Sequence, residues 1–483
     1  MRVNRFMEAA QRIGVVIVGA AGNRGRSALE ILPKLRAEGS TKGIHVELVC
    51  LAEANEERRA ELAAKATALL GSSCPAVGML SEAIPQTLHW MEKGDGSRKL
   101  IVYDASPTIY HYMNLMLVLP YSQRAPMYYF GEKPLFTKEG QVEFVGQNFA
   151  RATFFCELIE TESPAFRAAK EFIRGEGLKI ERMDFWRASG MGIMIAAGEG
   201  RGGVEGGALL DKAPHDLSVA VGLAGAHAVR TWNVGQVRTH LLALHEEAFR
   251  GGRRSFLSLA NTPLTHLSAR IAEQVPAEAL VSFDVELGVQ GAAIPASFLA
   301  SWVGVQNTRP ELMLGKRLAD LGIVTKEWVN SEERQLSRNG RYEYQNQEVR
   351  VAVVEGRLRD RKVHLVLNLL AKFEGRRFVC MVHGDGQRET IFEEPDGRDY
   401  HESKDEDLFA VFGRVIEHCA GRNVAENVAT EASLLVHRIM LRAMTRATEE
   451  LRALDQDAAY HAALKAYGKY LGPARTRPSA ARV

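Results

Sequence analysis

The sequence predicts an α/β protein, with a doubly wound parallel sheet in its first third followed by a region of antiparallel strands. Two changes of pattern carry that reading. From Ile13 to about Gly175 short apolar runs (IGVVIVG, HVELVCLAE, KLIVYDAS, PMYYFGEK, ATFFCEL) alternate with longer stretches of helical periodicity. Strand, helix, strand repeated in this way winds a parallel sheet whose strands are buried on both faces. After Gly177 the period becomes two. In VSFDVELGV, Val281, Phe283, Val285, Leu287 and Val289 fall on one face and Ser282, Asp284 and Glu286 on the other, the pattern of an antiparallel sheet with one packed face. VHLVLNLLAKF places Val363, Leu365, Leu367, Leu369 and Phe373 together, with Val366 and Leu370 making its other face mixed.

The remaining elements follow in order. Pro33 is expected to end or kink the first helix early, because proline lacks the N–H that a helix interior needs. Residues 198–207, GEGRGGVEGG, read as a flexible loop. From Asp405 the helical period returns, with Leu408, Phe412, Val415 and Cys419 on one stripe and Val428, Ala432, Leu435 and Ile439 on another. The expected boundaries are 1–156 for a dinucleotide-binding domain, 157–404 for a substrate and oligomerisation domain, 405–471 for C-terminal helices and 472–483 for a disordered tail.

A chain of 483 residues, 46% hydrophobic and 25% charged, has ample material for two cores. A net charge of +2 gives no basis for a nucleic-acid or membrane partner. The apolar run after the basic N-terminus reads as a buried strand rather than a leader, since it feeds a glycine turn. No segment approaches the ~20 apolar residues that span a bilayer. Five scattered cysteines, Cys50, Cys74, Cys156, Cys380 and Cys419, form no C-x-x-C pair, so a reducing, cytoplasmic setting without disulfides or zinc is expected.

IVGAAGNRG follows the first strand and opens the first helix, giving Gly19-x-x-Gly22-x-x-Gly25. Such a turn lets the backbone approach a pyrophosphate and presents it with the free N–H groups of a helix N-terminus. Gly19, Gly22, Asn23, Arg24 and Gly25 are therefore expected at a dinucleotide. Glu53 ends the second strand, where a carboxylate accepts from ribose hydroxyls and repels the extra phosphate of NADP. NAD is favoured; NADP stays open because Arg24 lies close enough to serve that phosphate. DASPTIYH and FGEKPLF end the next two long strands, putting Ser106, Pro107, His111, Glu132 and Lys133 at the ligand edge of the sheet. A lysine beside a nicotinamide can stabilise alkoxide character on a substrate oxygen.

GGALLDKAPHD supplies a second cluster. Pro214 reads as the first residue of a helix, which places His215 in the first turn, where the dipole disfavours an imidazolium. Asp211, just ahead, could orient the imidazole. One histidine and two carboxylates without a second histidine or cysteine at ligand spacing do not suggest a metal. Glu157, Glu160 and Glu162 offer an acidic wall, Trp186 a sugar-stacking platform and Arg187 an anion anchor; the same residues read equally well as solvated or core side chains.

VGAAGNRG, CLAEANEERRA, DASPTIYH, GEKPLFT, GGALLDKAPHDL and VATEASLLVHRIMLRA occur in the order and approximate spacing of the glucose–fructose oxidoreductase, inositol dehydrogenase and rhizopine-catabolism family, Gfo/Idh/MocA, which the chain resembles over nearly its whole length. The resemblance implies a Rossmann domain followed by an α/β domain with a large, mainly antiparallel open sheet, and a homo-oligomer, dimer or tetramer, built on that sheet. It implies an NAD(P)-dependent oxidoreductase acting on a sugar, polyol or related small molecule, with Lys133, Asp211 and His215 assisting hydride transfer. It puts Ser106, Pro107, His111 and Glu132 along the cofactor. Two positions depart from the family pattern: Ala213 stands for a glycine and Ser218 for an acid. Lys212, beside Asp211, is a second cation that could take the substrate role. Two alternatives stay open: within the family, a glycosidase that retains NAD through a transient oxidation, and, left open by the departures, a cofactor- or sugar-sensing protein without turnover.

Overall fold

The computed structural model describes residues 11–94, 96–149, 151–188, 208–240, 280–301, 314–323, 349–369, 376–395, 400–422 and 426–453. The loop 198–207, Phe373, Leu370 and the tail 472–483 lie outside them. The chain divides into two units, one of Met1–Glu162 with His401–His437 and one of Ser163–Tyr400 with Arg438–Val483.

The first unit holds six strands, β1 (Gln11–Val18), β2 (Ile44–Ala52), β3 (Ala76–Val77), β4 (Arg98–Asp104), β5 (Met127–Glu132) and β6 (Phe154–Glu157), in the order β3-β2-β1-β4-β5-β6. Every pair is parallel. The order reverses between β1 and β4, the switch point at which such sheets bind ligands. Register levels the strand ends: Val18 pairs with Ala52 and Asp104, Asp104 with Gly131, and Glu132 with Glu157. The residues that follow these strands therefore emerge on one edge.

Helices α1 (Asn23–Thr41), α2 (Glu56–Leu70), α3 (Leu80–Glu92), α4 (Thr108–Ser122) and α5 (Glu139–Asn148) alternate with the strands. Asn55 caps α2 by accepting from the Arg58 N–H, and Gly71 ends it in the left-handed conformation. The expected break at Pro33 does not occur, and α1 continues to Thr41. The lost bond is outweighed because Leu29, Ile31, Leu32 and Leu35 are all buried on one side of the helix, spanning the proline.

The second unit contains an eight-stranded sheet, its strands being β7 (Lys179–Ala188), β8 (Val229–His240), β9 (Leu280–Val289), β10 (Ala292–Ser301), β11 (Val349–Leu358), β12 (Arg361–Asn368), β13 (Phe378–His383) and β14 (Arg388–Glu393). Their order is β14-β13-β12-β11-β7-β10-β9-β8, antiparallel throughout except for the parallel pair β7–β10. The alternation read in β9 holds at Val281, Phe283, Val285 and Leu287, which are buried; Ser282 is buried as well, so the opposite face is also covered there. Phe283, Phe298 and Phe185 stack across three strands at 4.8 and 4.9 Å. Helix α6 (Pro164–Glu176) is capped by Ser163, α7 (Ala208–Ala224) packs on β7, β9 and β10, and α8 is the short helix Leu314–Asp320.

Helices α9 (Tyr400–Glu417) and α10 (Thr430–Ala453) complete the chain, and α10 is divided between the units after His437. Phe412 of α9 packs 5.2 Å from both Tyr103 and Phe130. Ahead of α10, Val428 O accepts from Cys156 N–H at 3.0 Å and Thr430 Oγ1 from Phe154 N–H at 2.9 Å, which extends the edge of the parallel sheet. On α10 the buried stripe includes Val436 where Leu435 was expected, since Leu435 is only half-buried. No described helix is long and apolar enough to cross a membrane.

Candidate active site

The turn after β1 is fixed by contacts that only glycine permits. Gly19 has φ +69°, and a Cβ there would stand 2.6 Å from Ser106 Cα. A Cβ on Gly25 would lie 2.5 Å from the Gly19 oxygen, so the first turn of α1 rests directly on the loop. Gly22 is different: it is exposed, and its nearest protein neighbour to a Cβ would be the Gly19 oxygen at 3.3 Å. Packing within the protein therefore asks less of Gly22 than of Gly19 and Gly25. The N-terminus of α1 has neither a side-chain cap nor an acid in its first turn, which leaves its N–H groups suited to an anion.

Glu53 ties this turn to β2. Its Oε2 accepts from Ala21 N–H at 2.9 Å and its Oε1 from Asn55 N–H at 3.0 Å. A carboxylate so held keeps lone pairs for hydroxyl donors. Arg24 turns away from that carboxylate: its Nε pairs with Glu157 at 3.1 Å, and Glu157 takes the Tyr103 hydroxyl at 2.5 Å. Burial opposes the Arg24 charge, but Glu157 and Glu132 more than offset it and push its pKa up. Glu157, Glu160 and Glu162 are all buried, so they do not form an open acidic wall.

The ends of β4 and β5 share a buried polar network that sequence reading missed. Asp104 Oδ1 accepts from Ser106 N–H at 3.0 Å, and its Oδ2 from the Asn114 amide at 2.9 Å and the Tyr129 hydroxyl at 2.7 Å. The signal was present as a carboxylate at the end of one apolar strand and a tyrosine within the next, where a buried polar group needs partners. His111 is buried with its Nδ1 hydrogen-bonded to the Pro134 carbonyl at 2.9 Å and its Nε2 to that of Ser106 at 2.7 Å. It therefore joins the loop after β4 to the loop after β5. Pro107 is the N-cap of α4. Glu132 and Lys133 are half-buried, and the Lys133–Pro134 peptide is cis.

In the second unit the structure corrects the reading of Pro214. Helix α7 starts at Ala208, so Pro214 lies inside it and His215 is two turns from its N-terminus. The dipole argument for a neutral His215 falls away. Proline is tolerated there because α7 is buried along nearly its whole length against the sheet. Asp211 occupies the first turn, and Asp211 and His215, four residues apart, share one helix face. Lys212 Nζ pairs with Asp211 Oδ2 at 2.9 Å. Asp216 accepts from Arg187 Nε at 2.8 Å in a pair whose partners are both buried, which pins α7 to β7. Ser218, where the family pattern has an acid, donates to the His215 carbonyl at 2.6 Å. Trp186 is 1% exposed and lacks the open ring face that a stacking platform needs.

A parallel sheet with a glycine turn at its switch point, followed in the same chain by a second unit with a large open sheet, defines the two-domain fold class of the chain. In fold the chain is of the Gfo/Idh/MocA type. An inositol dehydrogenase homolog from Azotobacter vinelandii complexed with NAD+ matches at TM-score 0.54 and 13% identity over 92% of this chain and 97% of that one. The same homolog complexed with NADH and myo-inositol matches at 0.54 and 13% over 91% and 97%. The transcriptional regulator Gal80p from Kluyveromyces lactis matches at 0.54 and 13% over 91% of each chain. No protein-family model and no curated protein matches the sequence.

Proposed function

We propose that the chain is an NAD(P)-dependent oxidoreductase of the Gfo/Idh/MocA kind, acting at a carbinol or carbonyl carbon of a sugar, polyol or sugar-derived molecule. The observation that supports it most is the level register of β1, β2, β4 and β5, which brings the glycine turn, Glu53, Ser106 and Glu132–Lys133 to one sheet edge. The nicotinamide, when bound, supplies or accepts hydride at its C4. The first turn of α1 holds the pyrophosphate, and Glu53 accepts from the ribose hydroxyls. NAD is the better fit, because Arg24 is committed to Glu157 rather than available to a second phosphate.

Lys133 donates a hydrogen bond to the substrate oxygen and stabilises negative charge as it develops there. His215 exchanges the hydroxyl proton at its imidazole, and Asp211, on the same helix face, favours the imidazolium that forms. Lys212 Nζ, 2.9 Å from Asp211 Oδ2, fixes the side chain of that aspartate through an ion pair. The expected homo-oligomer is tested by light scattering of the purified chain. The reaction is tested by mixing the protein with NAD and a panel of polyols, sugars and sugar acids while following reduced nicotinamide; normal turnover in a Lys133→Met, His215→Ala double variant excludes these roles.

A second reading, a sensor without turnover, is favoured by the likeness in fold to a transcriptional regulator. Tight NAD binding with no reduction on any substrate in the panel, together with a protein partner, would select it.

A further inference from the structure

His437 lies in VATEASLLVHRIMLRA, a stretch to which the proposed chemistry gives no role. It is fully buried on α10, where Val436, Ile439, Met440 and Leu441 are buried beside it and the buried Ser433 lies one turn ahead. Its Nε2 accepts from the Leu135 N–H at 2.9 Å. That N–H belongs to the same planar peptide unit as the Pro134 carbonyl, which is hydrogen-bonded to His111 Nδ1 at 2.9 Å. One peptide, two residues past Lys133, is thus held at both of its polar ends by two buried histidines.

We propose that His437 is a positioning residue for Lys133, fixing the peptide that follows the lysine and thereby the direction in which its ammonium is presented. The inference rests on the reading of Lys133 as the group that meets the substrate oxygen. The peptide plane cannot rotate about the Pro134 ψ without losing both hydrogen bonds, and the proline ring fixes φ. On the other side Glu132 is locked into β5 by pairing with Glu157 of β6. Lys133 is bracketed between strand pairing on one side and a peptide hydrogen-bonded at both ends on the other.

His437 is itself firmly placed. An Nε2 that accepts must leave the hydrogen on Nδ1, which donates to the Ser433 carbonyl at 2.6 Å. The Ser433 hydroxyl donates to the Val428 carbonyl at 2.7 Å, and Phe136 meets the imidazole edge-on at 5.1 Å. Burial lowers the imidazole pKa to about 4; the Ser433 hydrogen bond opposes this and His111 adds to it, so the ring keeps its acceptor. An apolar side chain at this position would orphan the buried Leu135 N–H.

The test uses the full chain and compares wild type with His437→Leu and His437→Gln, whose amide oxygen can still accept from Leu135. Competitive acetylation by acetic anhydride is read by peptide mass at Lys133 against exposed Lys34. In His437→Leu the Lys133:Lys34 ratio is expected to change about threefold or more, and kcat for hydride transfer to fall about tenfold with KM for NAD unchanged. His437→Gln is expected to recover most of both. If His437→Leu does not fold, His437→Asn, whose shorter amide stays near Ser433 and withdraws from Leu135, takes its place with the same readouts. An unchanged acetylation ratio in a folded variant that lacks the acceptor overturns the proposal, as does a glutamine variant no better than leucine. Absence of turnover in the wild type would count against the reading of Lys133, while the acetylation ratio still decides the role of His437.

Discussion

The turn after β1 and the start of α7 both carry proposed site residues beside residues awkward for regular structure, yet different forces hold them. In the turn the backbone dictates the sequence: Gly19 is required by a positive φ and by Ser106, and Gly25 by the oxygen of Gly19. In α7 the surroundings override the sequence, since Pro214 sits inside a helix that local rules would start with it. Local steric demands can be read from residue types; tertiary compensation cannot.

The largest expected effect is on the side held by tertiary contacts. Asp216→Ala removes the carboxylate that accepts from the buried Arg187 guanidinium and is expected to cost about 4 kcal/mol in urea unfolding. A loss below about 1 kcal/mol would mean that α7 is held by its apolar face alone. Gly19→Ala strikes the other side, forcing both a left-handed alanine and a clash with the Ser106 backbone, at about 3 kcal/mol and with NAD binding lost. Gly22→Ala, with its 3.3 Å contact, is expected to leave stability within about 1 kcal/mol while still weakening NAD. Equal destabilisation at both glycines would erase the distinction between packing and ligand approach.

Unit one also carries a pH signature. The imidazole of His437 has its pKa lowered from 6.5 to about 4 in the folded chain, chiefly by burial. Between those values the unfolded chain takes up a proton that the folded chain refuses. Stability is therefore complete above the unfolded pKa and falls as pH drops toward the folded one, by roughly 3 kcal/mol in all. Melting temperature against pH should show this slope in the wild type and lose it in His437→Gln; an unchanged slope would assign it to other groups. The smallest effect returns to α7: Pro214→Ala restores an interior helix bond and is expected to stabilise by about 1 kcal/mol. Destabilisation there would restore the proline to a helix start.

These contrasts also show how far the sequence could be read. The parallel sheet, its strand ends and the glycine turn were legible because buried parallel strands are continuous apolar runs and the turn needs specific residues. The antiparallel sheet was legible from alternation, except where both faces are covered, as at Ser282. Asp104 and His437 were not legible as parts of the site. Their partners, Tyr129 and Leu135, are brought to them by sheet pairing and by a helix about 300 residues away in the chain. The commitments of Arg24 to Glu157 and Arg187 to Asp216 were hidden for the same reason: charge type is visible in a sequence, and the partner is not.

The central claim is that Lys133 at the end of β5 serves hydride transfer with a nicotinamide cofactor. Its most direct measurement is the rate at which the purified chain reduces NAD with a panel of polyols, sugars and sugar acids, for wild type and Lys133→Met. Turnover on at least one substrate, reduced about a hundredfold or more in a folded Lys133→Met variant that still binds NAD, is the predicted result. Undiminished turnover in that variant, or bound NAD that no substrate in the panel reduces, would contradict the account.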